Sequence, residues 1–178
     1  LTQLNLPVFV KPNRGGSSVG TSKVKTKEDL ISAIELAFKE DSQVIIEEHI
    51  PGRELSCGTI IFRGEVITLP VTEIISRKEF FDYEAKYQGM SDEVTPANIP
   101  DRIGEEISSI SKKLYKILNC RGMVRFDYIL NGDKIFFLEV NTVPGMSELS
   151  IVPQQSLKAG ISLKELFTET MLNALKSR

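Results

Sequence analysis

The sequence predicts an α+β fold, a mostly antiparallel sheet with helices packed on one face. Three observations predict it. Apolar runs of strand length pair across tight-turn residues, as Arg53–Phe62 and Glu65–Val71 do across Arg63-Gly64. Other segments carry helical spacing, such as Leu30, Ala33, Ile34, Ala37 and Phe38. A hairpin pattern runs over Met123–Met146, MVRFDYILNGDKIFFLEVNTVPGM, with polar residues at fixed points inside apolar runs.

In chain order, Pro7–Lys11 is a short strand that ends in a lysine. Pro12–Gly20, PNRGGSSVG, is a loop whose glycines free the backbone and whose Ser17 and Ser18 supply hydroxyls. Exposed N–H groups in such a loop can cradle phosphate. It is not a Walker A loop, because Thr21–Lys25 alternates like a strand, and the G-x-G-x-x-G pattern is absent. A glycine-rich flap between two strands and a plain hairpin turn both fit. Thr26 is placed to cap a helix over Leu30–Phe38. Gln43–Ile50 is a strand stopped by Pro51-Gly52, with Glu47, Glu48 and Glu54 around its end. Thr72–Pro100 reads as irregular, a length of loop that in a compact domain is usually functional or disordered. Arg102–Asn119 is amphipathic, with Ile103, Ile107, Ile110, Leu114, Ile117 and Leu118 on one side. Val152–Ala159 is a short helix stopped by Gly160, and Ser162 with Glu165 makes a capping box for a last helix, Leu163–Leu175.

The polar residues of the hairpin are Arg125, Asp127, Glu139 and Asn141. Side chains alternate along a strand, and opposed residues share a face. With Asn131-Gly132-Asp133 as a three-residue loop, Asp127 opposes Phe137 and all four polar residues share one face. Glu139 is then the diagonal neighbour of Asp127, about 7–8 Å away at Cβ. A two-residue loop would put the two carboxylates on opposite faces. Two carboxylates and an amide oxygen suit Mg²⁺. An Arg125–Asp127 ion pair on a solvated sheet face fits the same spacing.

Composition narrows the function classes. The 178 residues suit one domain or one lobe of a larger enzyme, and 41% hydrophobic residues can fill a core. A net charge of −2 gives no footprint for nucleic acid or an acidic membrane surface. No apolar run approaches the roughly 20 residues of a membrane span, and no signal peptide is legible. Cys57 and Cys120 form no disulfide framework or zinc pattern, so a cytoplasmic location is expected. His49, the single histidine, has no triad around it. The opening LTQLNLP reads like the end of a helix or linker, as in a piece of a longer protein.

Taken together, VKPNRGGSSVG (Val10–Gly20), IIEEHIPGRE (Ile45–Glu54), FDYEAKY (Phe81–Tyr87), RFD (Arg125–Asp127), LEVNTVPGM (Leu138–Met146) and ELSIVP (Glu148–Pro153) resemble the ATP-grasp enzymes, and among them the D-alanine–D-alanine ligases. The resemblance implies an ATP-grasp fold, with residues 1–50 as a smaller nucleotide-covering lobe and 51–178 as a metal- and substrate-binding lobe. It implies ATP-dependent joining of two D-alanines through a D-alanyl phosphate, for peptidoglycan precursors in a bacterial cytoplasm. Lys11 would contact ATP phosphate, with Ser17 and Ser18 closing over it. Glu47 and the backbone near His49 and Ile50 would hold the adenine edge, Glu54 the ribose, and Leu138 would pack under the ring. Lys86 would reach the phosphates and Tyr87 would help close the site. Asp127, Glu139 and Asn141 would bind Mg²⁺, or Mn²⁺. Arg125 and the backbone near Gly145 would face the reacting carbonyl, and Ser150 and Ile151 the second D-alanine's carboxylate. The partners implied are a missing N-terminal domain of the same protein and a second copy in a homodimer. A D-alanine–D-lactate ligase and a nucleotide-binding module without catalysis are the alternatives.

Overall fold

The computed structural model describes residues 4–76 and 91–176. The chain divides into two compact units, Leu1–Pro51 with Ser76–Asp92, and Gly52–Ile75 with Glu93–Arg178. Each is built around its own sheet.

In the first unit, β1 (Val8–Pro12) lies between β2 (Ser22–Val24) and β3 (Val44–Glu48), antiparallel to both. Alternation along β1 turns Val8 and Val10 toward α1 (Leu30–Phe38), where they pack with Val24, Ala33 and Ala37. Phe9 and Lys11 take the opposite face, together with their register partners Lys23, Ile45 and Glu47. Thr26 does not cap α1. Its hydroxyl donates to Asp29 Oδ2 at 2.7 Å, and Asp29 stands at the N-cap without a side-chain cap bond.

The second sheet has the order β7-β6-β4-β8-β9, with β5 also on β4. Its strands are β4 (Arg53–Phe62), β5 (Glu65–Thr68), β6 (Thr72–Ser76), β7 (Ser91–Val94), β8 (Met123–Asn131) and β9 (Lys134–Asn141). Thr72–Pro100 therefore carries a strand at each end of the segment expected to be irregular. FDYEAKY, with Lys86 and Tyr87, lies outside the described residues.

Central β4 has two differently used faces. Leu55 and Cys57 join Val124, Phe126 and Tyr128 against Ile103, Ile107 and Tyr115 of α2 (Asp101–Ile117). Ile60 on the other face joins Leu69 against Val152 of α3 (Ile151–Lys158) and Leu166 of α4 (Leu163–Lys176). The α+β class holds, but the helices of this unit cover both faces rather than one. The reason is that β4 carries buried apolar side chains on both, Leu55 on one and Ile60 on the other, each 2% exposed or less. On α2 the buried stripe is Ile103, Ile107, Ser111 and Tyr115, while Ile117 and Leu118 remain exposed. The capping box at α4 is present. Ser162 N donates to Glu165 Oε2 at 3.0 Å, and Glu165 N donates to Ser162 Oγ at 3.2 Å.

A buried glutamine locks α3 to the sheet. Gln155 is fully buried, and its Oε1 accepts from Gly58 N at 2.9 Å. Its Nε2 donates to Ser56 O and to Thr72 Oγ1, each at 2.9 Å. Position 58 must be glycine for this, since a Cβ there would sit 2.6 Å from Gln155 Oε1.

Candidate functional site

The hairpin closes with a two-residue loop, not three. Asn131 pairs with Lys134, leaving Gly132-Asp133 as the turn, with Gly132 at φ +57°. By itself that would separate the two carboxylates. The register then slips between Tyr128, opposite Phe137, and Asp127, opposite Glu139. Leu138 is the extra residue of a β-bulge, and it returns the strand to the expected face. Asp127 and Glu139 are thus direct cross-strand partners rather than diagonal ones, and Arg125 faces Asn141. The β4 partners bring Glu54, Ser56 and Gly58 onto this same face.

Arg125 and Asp127 do form an ion pair, but a buried one. Their side chains are 13% and 5% exposed, with Arg125 Nη2 2.8 Å from Asp127 Oδ2. Arg125 Nε donates to Oδ1 at 2.9 Å, and Ser56 Oγ donates to the same oxygen at 2.5 Å. Burial opposes the Arg125 charge, yet the Asp127 hydrogen bonds and the carboxylates of Asp127, Glu139 and Glu54 hold its pKa above the usual value. Glu139 is exposed, and Asn141 Oδ1 accepts from Val143 N at 3.1 Å. The donor set fits a small hard cation: one fixed carboxylate, one exposed carboxylate in register, and an amide oxygen with a lone pair left over. Among the described residues no three His, Cys, Asp or Glu side chains cluster to hold a metal, and the third oxygen donor beside Asp127 and Glu139 is the Asn141 amide.

Gly145 and Ser150 meet in the loop before α3. A Cβ on Gly145 would lie 2.9 Å from Ser150 Oγ. Ser147 and Ser150 hydroxyls are 2.8 Å apart, and Ser150 N donates to Ser147 O. Ser150 is the N-cap of α3 and makes no side-chain cap bond, while Ile151 opens the helix. Ser150 N–H is used within the loop and Pro153 has none, so the backbone donors left at this helix start are those of Ile151 and Val152. Leu138 is 39% exposed on the hairpin edge.

The first unit carries Lys11, Ser17, Ser18, Glu47, His49 and Ile50. Lys11 Nζ lies 2.5 Å from Glu47 Oε2, an ion pair on the sheet face away from α1. Ser17, Ser18 and Gly20 have φ of 54°, 59° and 71°, left-handed positions on either side of Val19, and the turn is closed from within by Val19 N donating to Gly16 O and Thr21 N to Ser18 O. The loop entry is tied down by Arg14 N donating to Asp41 Oδ2 at 2.6 Å, which holds the Asp41 carboxyl below its usual range. The loop does join two paired strands, β1 and β2. Lys23 was not singled out in the sequence, yet its Nζ lies 3.4 Å from His49 Nε2. The signal was available: the Thr21–Lys25 alternation puts Lys23 opposite Phe9.

An ammonium has no acceptor, so His49 Nε2 accepts and the ring is neutral. Burial and then the Lys23 charge hold its pKa below the usual 6.5. The unfolded chain binds the His49 proton first as pH falls. This contribution to stability is therefore intact above about 6.5 and is lost below it. Lys23→Met is expected to raise the His49 pKa in an NMR titration of its ring proton. An unchanged midpoint would mean that burial alone sets it.

Cysteine chemistry has no place here, because burial pushes the Cys57 thiol up to about 11. Among the described residues no helix is long and apolar enough to cross a membrane.

A family model described as D-ala D-ala ligase C-terminus matches residues 1–172. The chain belongs to this family. It is 47% identical to a D-alanine–D-alanine ligase of Flavobacterium johnsoniae over 169 residues, 95% of this chain and 52% of the relative. It is 49% identical to one from Christiangramia forsetii, over 99% of this chain and 54% of the relative. The chain thus spans about half the length of the curated ligases it matches. Among solved structures it resembles the VanG D-Ala:D-Ser ligase of Enterococcus faecalis, at TM-score 0.84 and 36% identity, over 96% of this chain and 50% of that one. It also resembles a Bacillus anthracis D-alanine–D-alanine ligase complexed with ATP, at TM-score 0.80 and 32% identity, over 97% of this chain and 54% of that one.

Proposed function

We propose that this chain is the ATP- and metal-binding half of a bacterial, cytoplasmic ligase that joins two D-alanines at the expense of ATP, for peptidoglycan precursors. The observation that carries the reading is the hairpin face: Arg125, Asp127, Glu139 and Asn141 in register, with the Leu138 bulge putting them there. The relatives support the substrate, and their length supports an N-terminal part that completes the site. A homodimer of the complete protein belongs to the same reading.

A carboxylate is a poor electrophile. The first D-alanine's carboxylate oxygen takes the γ-phosphoryl group of ATP, releasing ADP and forming an acyl phosphate. The second D-alanine's amine attacks that carbonyl, loses its proton, and phosphate leaves. The protein's task is positioning and charge neutralisation. Lys11 and the Ser17–Ser18 loop bind phosphate oxygens, and the Lys11 ammonium, with three donors, can do so beside its Glu47 pair. Glu47, His49 and Ile50 hold the adenine edge, Glu54 the ribose, and Leu138 lies under the ring. Lys86 and Tyr87, by resemblance, cover the phosphates. Arg125 and the Gly145 backbone stabilise the oxyanion of the tetrahedral intermediate. Ser150 and Ile151 hold the acceptor's carboxylate. Mg²⁺ or Mn²⁺, held by Asp127, Glu139 and Asn141, supplies positive charge against the nucleotide phosphates.

The likeness to VanG favours one second reading, D-serine as the acceptor in the same site. The test is phosphate release from ATP by the complete protein, with D-alanine alone and with D-alanine against D-serine or D-lactate. D-alanine-dependent release with dipeptide as product is expected. Release only with D-serine would select the second reading. No release with any of the three would sink both and leave a nucleotide-binding module.

A further inference from the structure

We propose that Ser56 is a positioning residue for Asp127, and that its hydroxyl makes this carboxylate a one-oxygen donor matched to Mg²⁺ rather than to larger cations. The proposal rests on the metal reading above.

Ser56 faces Asp127 across the β4–β8 ladder and is fully buried. Its hydroxyl donates to Oδ1 at 2.5 Å. Arg125 Nε donates to Oδ1 at 2.9 Å and more weakly to Oδ2 at 3.2 Å, while Nη2 donates to Oδ2 at 2.8 Å. A carboxylate has about four lone-pair sites. Oδ1 has both of its own filled, by Ser56 and by the Arg125 Nε–H, whose shorter contact is to Oδ1. Oδ2 then holds one full donor, Nη2, and keeps a lone pair for a cation. A monodentate carboxylate suits Mg²⁺, which demands a compact octahedral shell, whereas Ca²⁺ readily takes both oxygens of one carboxylate.

Ser56 is itself held from outside the hairpin. Its carbonyl accepts from Gln155 Nε2 at 2.9 Å, so α3 fixes the backbone from which the hydroxyl reaches. Donors behind a ligating carboxylate typically change metal affinity by about 10–100-fold when removed. Ser56→Ala empties one Oδ1 site, leaves the Arg125 pair in place, and lets the carboxylate present two oxygens.

The experiment uses the complete protein with ADP and Mn²⁺, read by electron paramagnetic resonance, with Mg²⁺ and Ca²⁺ as competitors. Ser56→Ala is expected to weaken Mn²⁺ binding about tenfold and to move the Mg²⁺/Ca²⁺ preference several-fold toward Ca²⁺. Ser56→Thr, which keeps the hydroxyl, is expected to bind as wild type, and Asp127→Asn to abolish binding. If Asp127→Asn has no effect, the metal reading falls and this proposal with it. If Asp127→Asn abolishes binding while Ser56→Ala matches wild type, the proposal alone falls. Ser56→Thr as weak as Ser56→Ala would show that the shape of the site, not the hydroxyl, matters. An unchanged Mg²⁺/Ca²⁺ ratio in Ser56→Ala would overturn the one-oxygen assignment.

Discussion

Asp127→Asn in the complete protein is expected to reduce metal-dependent turnover more than about 100-fold, beyond what losing a supporting donor costs. It is also expected to destabilise the second unit by about 3 kcal/mol. Both effects come from one side chain with two duties. As a ligand, the carboxylate supplies charge that an amide lacks. As a partner, it compensates Arg125, whose side chain is 13% exposed and cannot recruit bulk water to replace it. An amide also brings an N–H₂ group that meets a donor if it faces Arg125, and that makes the Ser56 hydroxyl give up its own donation and accept if it faces Ser56. The stability loss falls at the lower end for a broken buried pair, because Glu139 and Glu54 still act on Arg125. The double variant Arg125→Met/Asp127→Leu separates the duties. Removing both charges should recover most of the stability and none of the turnover. Equilibrium urea unfolding by circular dichroism reads the first quantity and phosphate release the second. A double variant no more stable than Asp127→Asn would mean the pair's geometry, not its charge balance, holds the hairpin.

What the sequence disclosed about this site, and what it hid, follows from which interactions are local. The hairpin was legible because its turn chemistry and period-two alternation lie within about 20 residues of each other. The shared face of Asp127 and Glu139 was legible too, but for the wrong reason. A three-residue loop and a two-residue loop plus a bulge give the same faces, and Leu138 sits inside an apolar run with no glycine to mark it. Ser56 and Gln155 gave no signal. Each is an ordinary polar residue in its own element, and its meaning depends on partners 71 and 97 residues away in sequence. The use of both sheet faces was hidden similarly, because α4 buries only Leu166 fully and looks like a surface helix. Thr26 was misread because its hydroxyl found the Asp29 side chain, a competing local bond that propensity rules do not rank.

Gln155→Leu is expected to destabilise the second unit by about 3 kcal/mol or more, although leucine fills a similar volume. The loss is one of hydrogen bonds rather than packing. Gly58 N–H and Ser56 C=O would be left buried without Gln155, and each unpaired group costs about 1–3 kcal/mol. Thr72 suffers less, since its hydroxyl keeps Thr95 at 2.6 Å. Gln155→Glu tests the same network through pH. The carboxyl keeps an acceptor for Gly58 N, but it can donate to Ser56 O or Thr72 Oγ1 only when protonated. Burial raises its folded pKa above the unfolded value of about 4.3, so the folded state binds the proton more tightly. Its stability is therefore fully expressed below about pH 4.3 and declines as pH rises through the folded pKa. Relative to wild type, Gln155→Glu should approach wild-type stability in acid and resemble Gln155→Leu at pH 8, read by urea unfolding at each pH. A deficit independent of pH would mean that the donor to Ser56 and Thr72 contributes nothing, and that Gln155 acts by shape alone.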